Sequence, residues 1–363
     1  MDKIVLIELT DRCNLNCIMC SDRKKPHGIE PGYMDANLFR AIVDELAQDP
    51  DHVSFEMFWL GESLLHPQFD HMIGYLREKL KNTDHTANLH TNGTYLRDHA
   101  DALLSLGTKL PFMTISIDAA SQETYSIIRK GNYSGLLHGI HDFLRARKAL
   151  RQIHPIINFQ FILMQENHHD VPEFIDYWSR YLAPLSDPHC PDKIYLKRVE
   201  LHDIQKQKQA DRLFSKIIAD NGLYSSQMGS IELISRDRDQ PGLNDDYWFE
   251  KKTARRPCAA IWKNPCIRWD GELTMCCFDN LYLYPLGNVR DGFNSIWDGR
   301  QLRQIRAMHA LGRFGDVLTI HREKKCENCI GYYHPPISDE EVIQYFVSAG
   351  NIDIAEKFRA RIA

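Results

Sequence analysis

Three cysteines near the start of the chain have a spacing that suits iron–sulfur chemistry. Cys13, Cys17 and Cys20 are separated by three and then two residues, so their thiolates share one short loop. Such a loop can hold three irons of a four-iron cubane cluster and leave the fourth iron open for another ligand. The alternative is a structural zinc site, which would need a fourth ligand such as His27.

A second group of cysteines lies between positions 258 and 329. The segment 267–277 contains an Asp-Gly pair and is predicted to form a β-hairpin with a tight turn. That hairpin would bring Cys258 and Cys276 together, and Cys326 and Cys329 would complete a set of four thiolates. Four thiolates bind either a [4Fe–4S] cluster or a structural zinc ion.

Apolar runs and helical periodicities alternate along the first 200 residues and must position these loops. Strands are predicted at 4–9, 52–60, 87–90, 113–117, 156–163 and 194–199, and helices at 38–46, 69–80 and 171–181, with one more beginning near 121. This alternation predicts βαβ units and a parallel sheet. The predicted fold class is α/β, a partial (β/α)6 TIM-like barrel with a small C-terminal Cys-rich domain made of a β-hairpin plus a helix. We expect the barrel at 1–205, a helical linker at 206–250, the Cys-rich domain at 251–335 and a C-terminal helix at 336–363.

Composition bounds the location and the partners. The net charge of -5 argues against a nucleic-acid binder. The sequence has no run of eighteen apolar residues, so no membrane span is predicted. Asp11 and Arg12 come too early for an apolar targeting segment, so we expect a cytoplasmic protein. Thiols stay reduced there, so ten cysteines indicate metal or redox chemistry rather than disulfides.

The first cysteine loop also carries a family resemblance. The segment 10–20, Thr-Asp-Arg-Cys-Asn-Leu-Asn-Cys-Ile-Met-Cys, resembles the signature loop of the radical S-adenosylmethionine (SAM) superfamily. The resemblance implies that SAM chelates the open iron and that one electron cleaves it to methionine and a 5′-deoxyadenosyl radical. This radical would abstract hydrogen from an unreactive C–H bond. An electron donor such as flavodoxin or ferredoxin would be a partner.

The same resemblance implies a set of SAM-binding residues. Gly61-Glu62 follows the second strand like the family's Gly-Gly-Glu motif, which binds the SAM amino group, although Leu60 replaces the first glycine. The other members are Ser116 and Asp118 as ribose contacts, Arg129 as a partner of the SAM carboxylate, and Thr91 and Asn92 near SAM or the substrate. Without the cysteine loop, Glu62 and Asp118 would be better explained as helix caps and Arg129 as a surface charge.

The second cysteine group resembles the twitch domain, a shortened SPASM domain that follows radical SAM barrels. The segments 287–289 (Gly-Asn-Val) and 296–297 (Ile-Trp) also fit that pattern. A full SPASM domain has further cysteines after the position of Cys329, and the sequence has none there. The resemblance therefore implies one auxiliary cluster, and so two [4Fe–4S] clusters altogether.

Cys277 directly follows the predicted ligand Cys276. In related enzymes the residue at this place tends to face the substrate. An S–H bond is weaker than a C–H bond, so a thiol there can return hydrogen to a substrate radical. Abstraction from one face and return to the other inverts the carbon, which predicts epimerisation of a small molecule of the sugar or aminoglycoside type. The alternatives are dehydrogenation of an alcohol to a ketone through the auxiliary cluster, peptide modification, and a zinc-stapled binding protein without catalysis.

The remaining predictions concern the substrate and the leftover thiols. No extension that would bind a leader peptide precedes the first strand, so we expect a small-molecule substrate. Candidates for lining its pocket are Glu200, His202, Asp279 and Tyr282. Cys190 and Cys266 are interpreted as small hydrophobic residues.

Overall fold

One long sheet joins the two cysteine-containing regions. The computed structural model describes residues 1–20, 30–201, 203–235, 256–323, 326–327, 329 and 337–362. The strands in these residues are β1 (Lys3–Ile7), β2 (Val53–Glu56), β3 (Thr86–Thr91), β4 (Phe112–Ser116), β5 (Ile156–Leu163), β6 (Asp192–Arg198), β7 (Ser226–Met228), β8 (Ile231–Ser235), β9 (Cys266–Ile267), β10 (Glu272–Thr274) and β11 (Pro285–Asn288). They form a single sheet in the order β11-β10-β9-β1-β2-β3-β4-β5-β6-β8-β7.

Helices connect the strands and cover one face of the sheet. In the same residues they are α1 (Ala36–Leu46), α2 (Phe69–Leu80), α3 (Ala100–Ser105), α4 (Gln122–Ile128), α5 (Tyr133–Ala149), α6 (Val171–Leu182), α7 (Ile204–Asn221), α8 (Ala260–Lys263), α9 (Phe293–Trp297), α10 (Arg300–Ala310), α11 (Asp339–Ser348) and α12 (Ile352–Ile362). Each of β1 to β5 pairs in parallel with the strand that follows it in sequence. This arrangement confirms the predicted partial (β/α)6 barrel.

The two faces of the parallel strands have different compositions. Alternate residues such as Phe55, Leu89 and Phe159 are completely buried in the core beneath the helices. The residues between them point to the opposite, inner face, because side chains alternate along a strand. That face is polar: the Asn88 amide donates to the Glu56 carboxylate at 2.8 Å, and Gln160 donates to Ser116 at 3.0 Å. The partial barrel therefore encloses a hydrophilic surface.

The Cys-rich region continues the barrel sheet at the β1 edge. Strand β9 pairs in parallel with β1, and β10 returns antiparallel to β9. Gly271 makes the turn between them with φ of +91°, a conformation that favours glycine. This confirms the predicted hairpin and fixes the second cysteine group next to the strand that leads into the first.

Two segments differ from the predicted organisation. The linker 206–250 contains all but the first two residues of α7, but it also contains the hairpin β7–β8, whose second strand pairs in parallel with β6. The single C-terminal helix predicted at 336–363 is two helices, α11 and α12, because Gly350 with φ of +72° ends the first. Positions 236–255 and 330–336, which belong to these predicted segments and to the Cys-rich domain, lie outside the described residues.

A buried ion pair fixes α5 to the strands, and breaking it is expected to destabilise the fold. Arg147 donates to both carboxylate oxygens of Asp192 at 2.8 and 2.6 Å, and both side chains are about 3% exposed or less. We expect Arg147→Met to lower the free energy of unfolding by about 3–5 kcal/mol, because it leaves the Asp192 charge buried without its partner. Arg145→Met is the matched control on the same helix, since Arg145 pairs with Asp142 on the surface. Urea unfolding of both variants tests this, and equal midpoints would contradict it.

Within the described residues, no helix has the length and apolar character needed to cross a membrane.

Candidate active site at the carboxyl ends of the strands

The first cysteine loop leaves β1 and is anchored over the carboxyl ends of the strands. The Ile18 N–H donates to the carbonyl oxygen of Ile128 at 2.9 Å. Ile18 and Met19 pack against an apolar cluster of Ile128, Met164 and Val199. The apolar residues between the cysteines thus fix the loop, while Cys13 and Cys20 stay exposed and Cys17 is buried.

The three thiols of this loop lie close enough to influence one another. Burial raises the pKa of Cys13 to about 11, and the charges of Cys17 and Cys20 add to the rise. Thiolates held together in this way need positive charge among them, which a metal supplies. Arg129 contributes part of this positive charge, because its guanidinium lies 3.5 Å from the Cys17 sulfur. The donor set fits a cluster bound by three thiolates.

Gly61 allows the loop after β2 to touch the cysteine loop. A Cβ at this position would lie 2.1 Å from the carbonyl oxygen of Thr10 and 2.8 Å from that of Arg12. The N–H of the next residue, Glu62, donates to the same Arg12 oxygen at 2.8 Å. Only glycine permits this approach, so the residue has a steric reason beyond any contact with a ligand.

Glu62 is buried at the centre of these loops. Its carboxylate accepts hydrogen bonds from the Thr91 hydroxyl at 2.8 Å and the Asn92 N–H at 2.7 Å. Burial raises the pKa of Glu62 above its usual value, opposed by these donors. It also caps the short helical turn Ser63–Leu65. The Asn92 amide reaches back to the cysteine loop, 2.9 Å from Asn14 Oδ1 and 3.9 Å from the Cys13 sulfur.

Asp118 and Arg129 form a buried ion pair. The Asp118 carboxylate also accepts from the Ile162 N–H at 2.6 Å, and its backbone has φ of +64°. The pair joins the ends of β4 and β5 to α4, and places the guanidinium beside Cys17. Ser116 lies on the inner face, where it accepts from Gln160. The structure thus gathers the predicted SAM residues around the cysteine loop, and their contacts with SAM stay predictions.

The second group of thiols is also brought together. Burial raises the pKa of Cys276 well above its usual value, and the charges of Cys258, Cys277, Cys326 and Cys329 add to the rise. A set of four thiolates can supply one ligand to each iron of a cubane cluster. The arrangement fits a four-iron cluster.

Cys277 lies between this second group and the barrel. The Trp59 indole, which follows β2, donates to the Cys277 carbonyl oxygen at 3.0 Å. Burial raises the pKa of the Cys277 thiol to about 12, and the nearby charges of Cys258 and Glu200 add to the rise. Cys258 belongs to the second cysteine group and Glu200 follows β6, so groups of both domains act on the Cys277 thiol.

The other candidates for the pocket have different positions. Glu200 is exposed and pairs with Lys197 at 3.0 Å. Tyr282 is half-buried, and its hydroxyl contacts the Glu8 carboxylate at 3.3 Å. Asp279 is buried and accepts from the N–H groups of Leu283 and Tyr284, so it organises the loop after the hairpin. His202 and the zinc-ligand candidate His27 lie outside the described residues.

The ten cysteines all fall within the described residues, and none of them forms a disulfide. Cys266 is completely buried on β9, as expected for a structural thiol. Cys190 is half-buried just before the amino end of β6, away from the carboxyl ends of the strands.

Sequence patterns missed two aromatic residues and a histidine near Cys277. Trp59 and Phe58 follow β2, and His90 stacks on Phe58 with ring centroids 3.8 Å apart. The signal was available for His90: it alternates with the buried residues of β3 and therefore points to the inner face.

Comparison with known proteins gives two family matches. The profile described as "Radical SAM superfamily" matches residues 7–177. The SPASM profile, described as "Iron-sulfur cluster-binding domain", matches residues 258–330. The second match covers Cys258, Cys276, Cys326 and Cys329.

The most informative relatives cover most of the chain. The tungsten-containing aldehyde ferredoxin oxidoreductase cofactor-modifying protein of Pyrococcus furiosus is 26% identical over 84% of this chain and 83% of its own. The solved structure of anSMEcpe with bound AdoMet has a TM-score of 0.57 at 16% identity, covering 100% of this chain and 98% of the other. Streptococcus suis SuiB bound to the precursor peptide SuiA has a TM-score of 0.57 at 10% identity, covering 84% and 66%. At these identities the two structures show a shared fold.

Proposed function

We propose that this chain, which belongs to the radical SAM superfamily and carries a C-terminal iron–sulfur cluster-binding domain, epimerises a small molecule of the sugar or aminoglycoside type. In this proposal Cys277 is the hydrogen-atom donor. The radical SAM domain binds one [4Fe–4S] cluster and SAM, and the C-terminal domain binds iron–sulfur as well. When bound, the first cluster and SAM supply a 5′-deoxyadenosyl radical that removes hydrogen from the substrate.

We assign the cofactors to the residues gathered at the two loops. Cys13, Cys17 and Cys20 would hold the first cluster, and the auxiliary cluster would be held by Cys258, Cys276, Cys326 and Cys329. Glu62 and Asn92 would receive the SAM amino group, because both lie in contact with the cysteine loop. Ser116, Asp118 and Arg129 would complete the SAM site. The protein would bind the cofactors and shield the reacting groups from side reactions, and the cofactors would supply the radical chemistry.

The position of Cys277 carries the proposal. Its thiol lies near Glu200 at the carboxyl end of the barrel and near Cys258 of the auxiliary group. A radical formed on a substrate inside the barrel would therefore meet an S–H group on the side of the C-terminal domain. The first cysteine loop follows β1 and Cys277 belongs to the C-terminal domain, so in this proposal abstraction and return come from different sides of the substrate.

The reaction balances with one external reductant. The substrate loses one hydrogen atom to the deoxyadenosyl radical and receives one from Cys277, which leaves a thiyl. The thiyl returns to the thiol by taking up one electron and one proton. We propose that a low-potential electron donor of the flavodoxin or ferredoxin class supplies this electron and the one that cleaves SAM. A reducing compartment such as the cytoplasm would keep the cysteines available as cluster ligands and hydrogen donor.

Turnover in D2O tests the reaction type. The reconstituted enzyme, SAM and reductant would be incubated with a panel of amino sugars and aminocyclitols and, in parallel, with peptides. We expect an epimer that carries one deuterium at the inverted carbon, because the thiol hydrogen exchanges with solvent. Mass spectrometry and NMR of the product measure this. A ketone without solvent deuterium would replace epimerisation by dehydrogenation, and turnover of peptides alone would point to peptide modification.

A further inference from the structure

His90 presents an unused imidazole to the inner face of the barrel. It lies on β3, and its ring stacks on Phe58 with an angle of 8° between the planes. The side chain is exposed to solvent. Among the described residues, neither ring nitrogen has a hydrogen-bond partner. The stack thus orients the ring and leaves both nitrogens available.

The neighbours of His90 place it beside the reaction site. The next two residues, Thr91 and Asn92, both bind Glu62, and Asn92 also contacts the first cysteine loop. On the inner face, the charge of Lys197 is close enough to act on His90. Lys197 pairs with Glu200, whose charge acts on Cys277. Phe58, on which His90 stacks, directly precedes Trp59, whose indole donates to the Cys277 carbonyl oxygen at 3.0 Å, so His90 lies on the part of the inner face towards Cys277.

The charge state of His90 suits a neutral contact. The protein that surrounds the ring lowers the pKa of His90 to about 4 although one side of the ring is open to the inner face, and the positive charge of Lys197 adds to the fall. The imidazole is then neutral near pH 7, so one nitrogen donates a hydrogen bond and the other accepts one. A hydroxyl group also donates and accepts, which makes it the complementary ligand.

We propose that His90 is a substrate-binding residue that positions a hydroxyl group of a polyhydroxylated ring in the space between β3 and Cys277. The inference rests on the proposed function for the location of the substrate. Phe58 and Trp59 provide aromatic surface beside this position, as expected where the C–H face of such a ring packs. The lysine and glutamate beside it neutralise each other, so the site does not require a net charge on the ring.

Two variants separate hydrogen bonding from packing. His90→Phe keeps a flat ring to stack on Phe58 and removes both nitrogens. His90→Gln restores a neutral donor and acceptor. The control is His138→Phe, because His138 is exposed on α5, away from the sheet's inner face. Iron content and affinity for SAM should match the wild type in all three proteins.

The experiment measures binding of inositols, amino sugars and aminocyclitols to the anaerobic holoenzyme loaded with SAM, by calorimetry. We expect at least one ring to bind the wild type and to bind His90→Phe at least about tenfold more weakly, as loss of one hydrogen bond requires. His90→Gln should recover most of the affinity. A single-deoxy analogue of the same ring should bind the wild type about tenfold more weakly and lose nothing further in His90→Phe.

Equal binding to the wild type and His90→Phe would overturn the role of His90, and failure of every ring to bind would overturn the substrate class. If His90→Phe loses iron, the analogue series on the wild type and His90→Gln decides the question. These outcomes are separate from the proposed reaction. A ketone product with His90-dependent binding would refute epimerisation alone, whereas an epimer formed equally well by His90→Phe would refute this inference alone.

Discussion

Replacing Cys13, Cys17 and Cys20 together with alanine is expected to lower the iron content of the anaerobically reconstituted protein from about eight irons to about four. The same change should abolish reductive cleavage of SAM, because the open iron that chelates SAM is lost with the loop thiolates. The expected effect is selective, since the auxiliary thiols belong to a different part of the sheet. Iron, acid-labile sulfide and 5′-deoxyadenosine are the quantities to measure.

The matched control is Cys190→Ala, which removes a thiol at the opposite end of β6 and should leave about eight irons in place. About four irons in the wild type would remove the auxiliary cluster and favour a zinc-stapled second domain. About twelve irons would mean a third cubane that uses further cysteines, and Cys277 would then be a candidate ligand instead of a donor.

Much of the fold could be predicted because its signals are local. Helix α2 and strand β5 begin and end where the apolar period indicated, at Phe69–Leu80 and Ile156–Leu163. The hairpin of β9 and β10 was predicted from the Asp-Gly turn, a preference of two adjacent residues. The C-terminal helix was predicted too long, because its apolar period passes through Gly350, whose left-handed backbone divides it.

Features that depend on distant pairs could not be predicted in this way. The pairing of β9 with β1 joins residues about 260 positions apart, and no local pattern specifies which strand edge the hairpin meets. The buried pair of Arg129 and Asp118 is similar, because each residue alone reads as a surface charge or a cap. Family resemblance assigned roles to the cysteines, including Cys277, but only the three-dimensional structure shows that His90 stacks on Phe58 next to Trp59, which contacts Cys277.

Cys277→Ser is expected to separate the two halves of the proposed reaction. Serine has nearly the same size, but its O–H bond is stronger than a C–H bond, so it cannot return a hydrogen atom to the substrate radical. We expect 5′-deoxyadenosine to form in the presence of substrate at a rate within a few fold of the wild type. Formation of the epimer should fall by at least about 10²–10³-fold, because the return of a hydrogen atom to the substrate radical has lost its thiol donor. Chromatography of both products from one reaction measures the ratio.

Cys276→Ser is the informative comparison, because its side chain precedes the donor by one residue and belongs to the thiols of the auxiliary group. It should lose about four irons, whereas Cys277→Ser should keep about eight. If Cys277→Ser also loses iron, the thiol is a cluster ligand and the donor must be another group. If it keeps its iron and still forms the epimer, the hydrogen atom returns from another group on the inner face and Cys277 is not the donor.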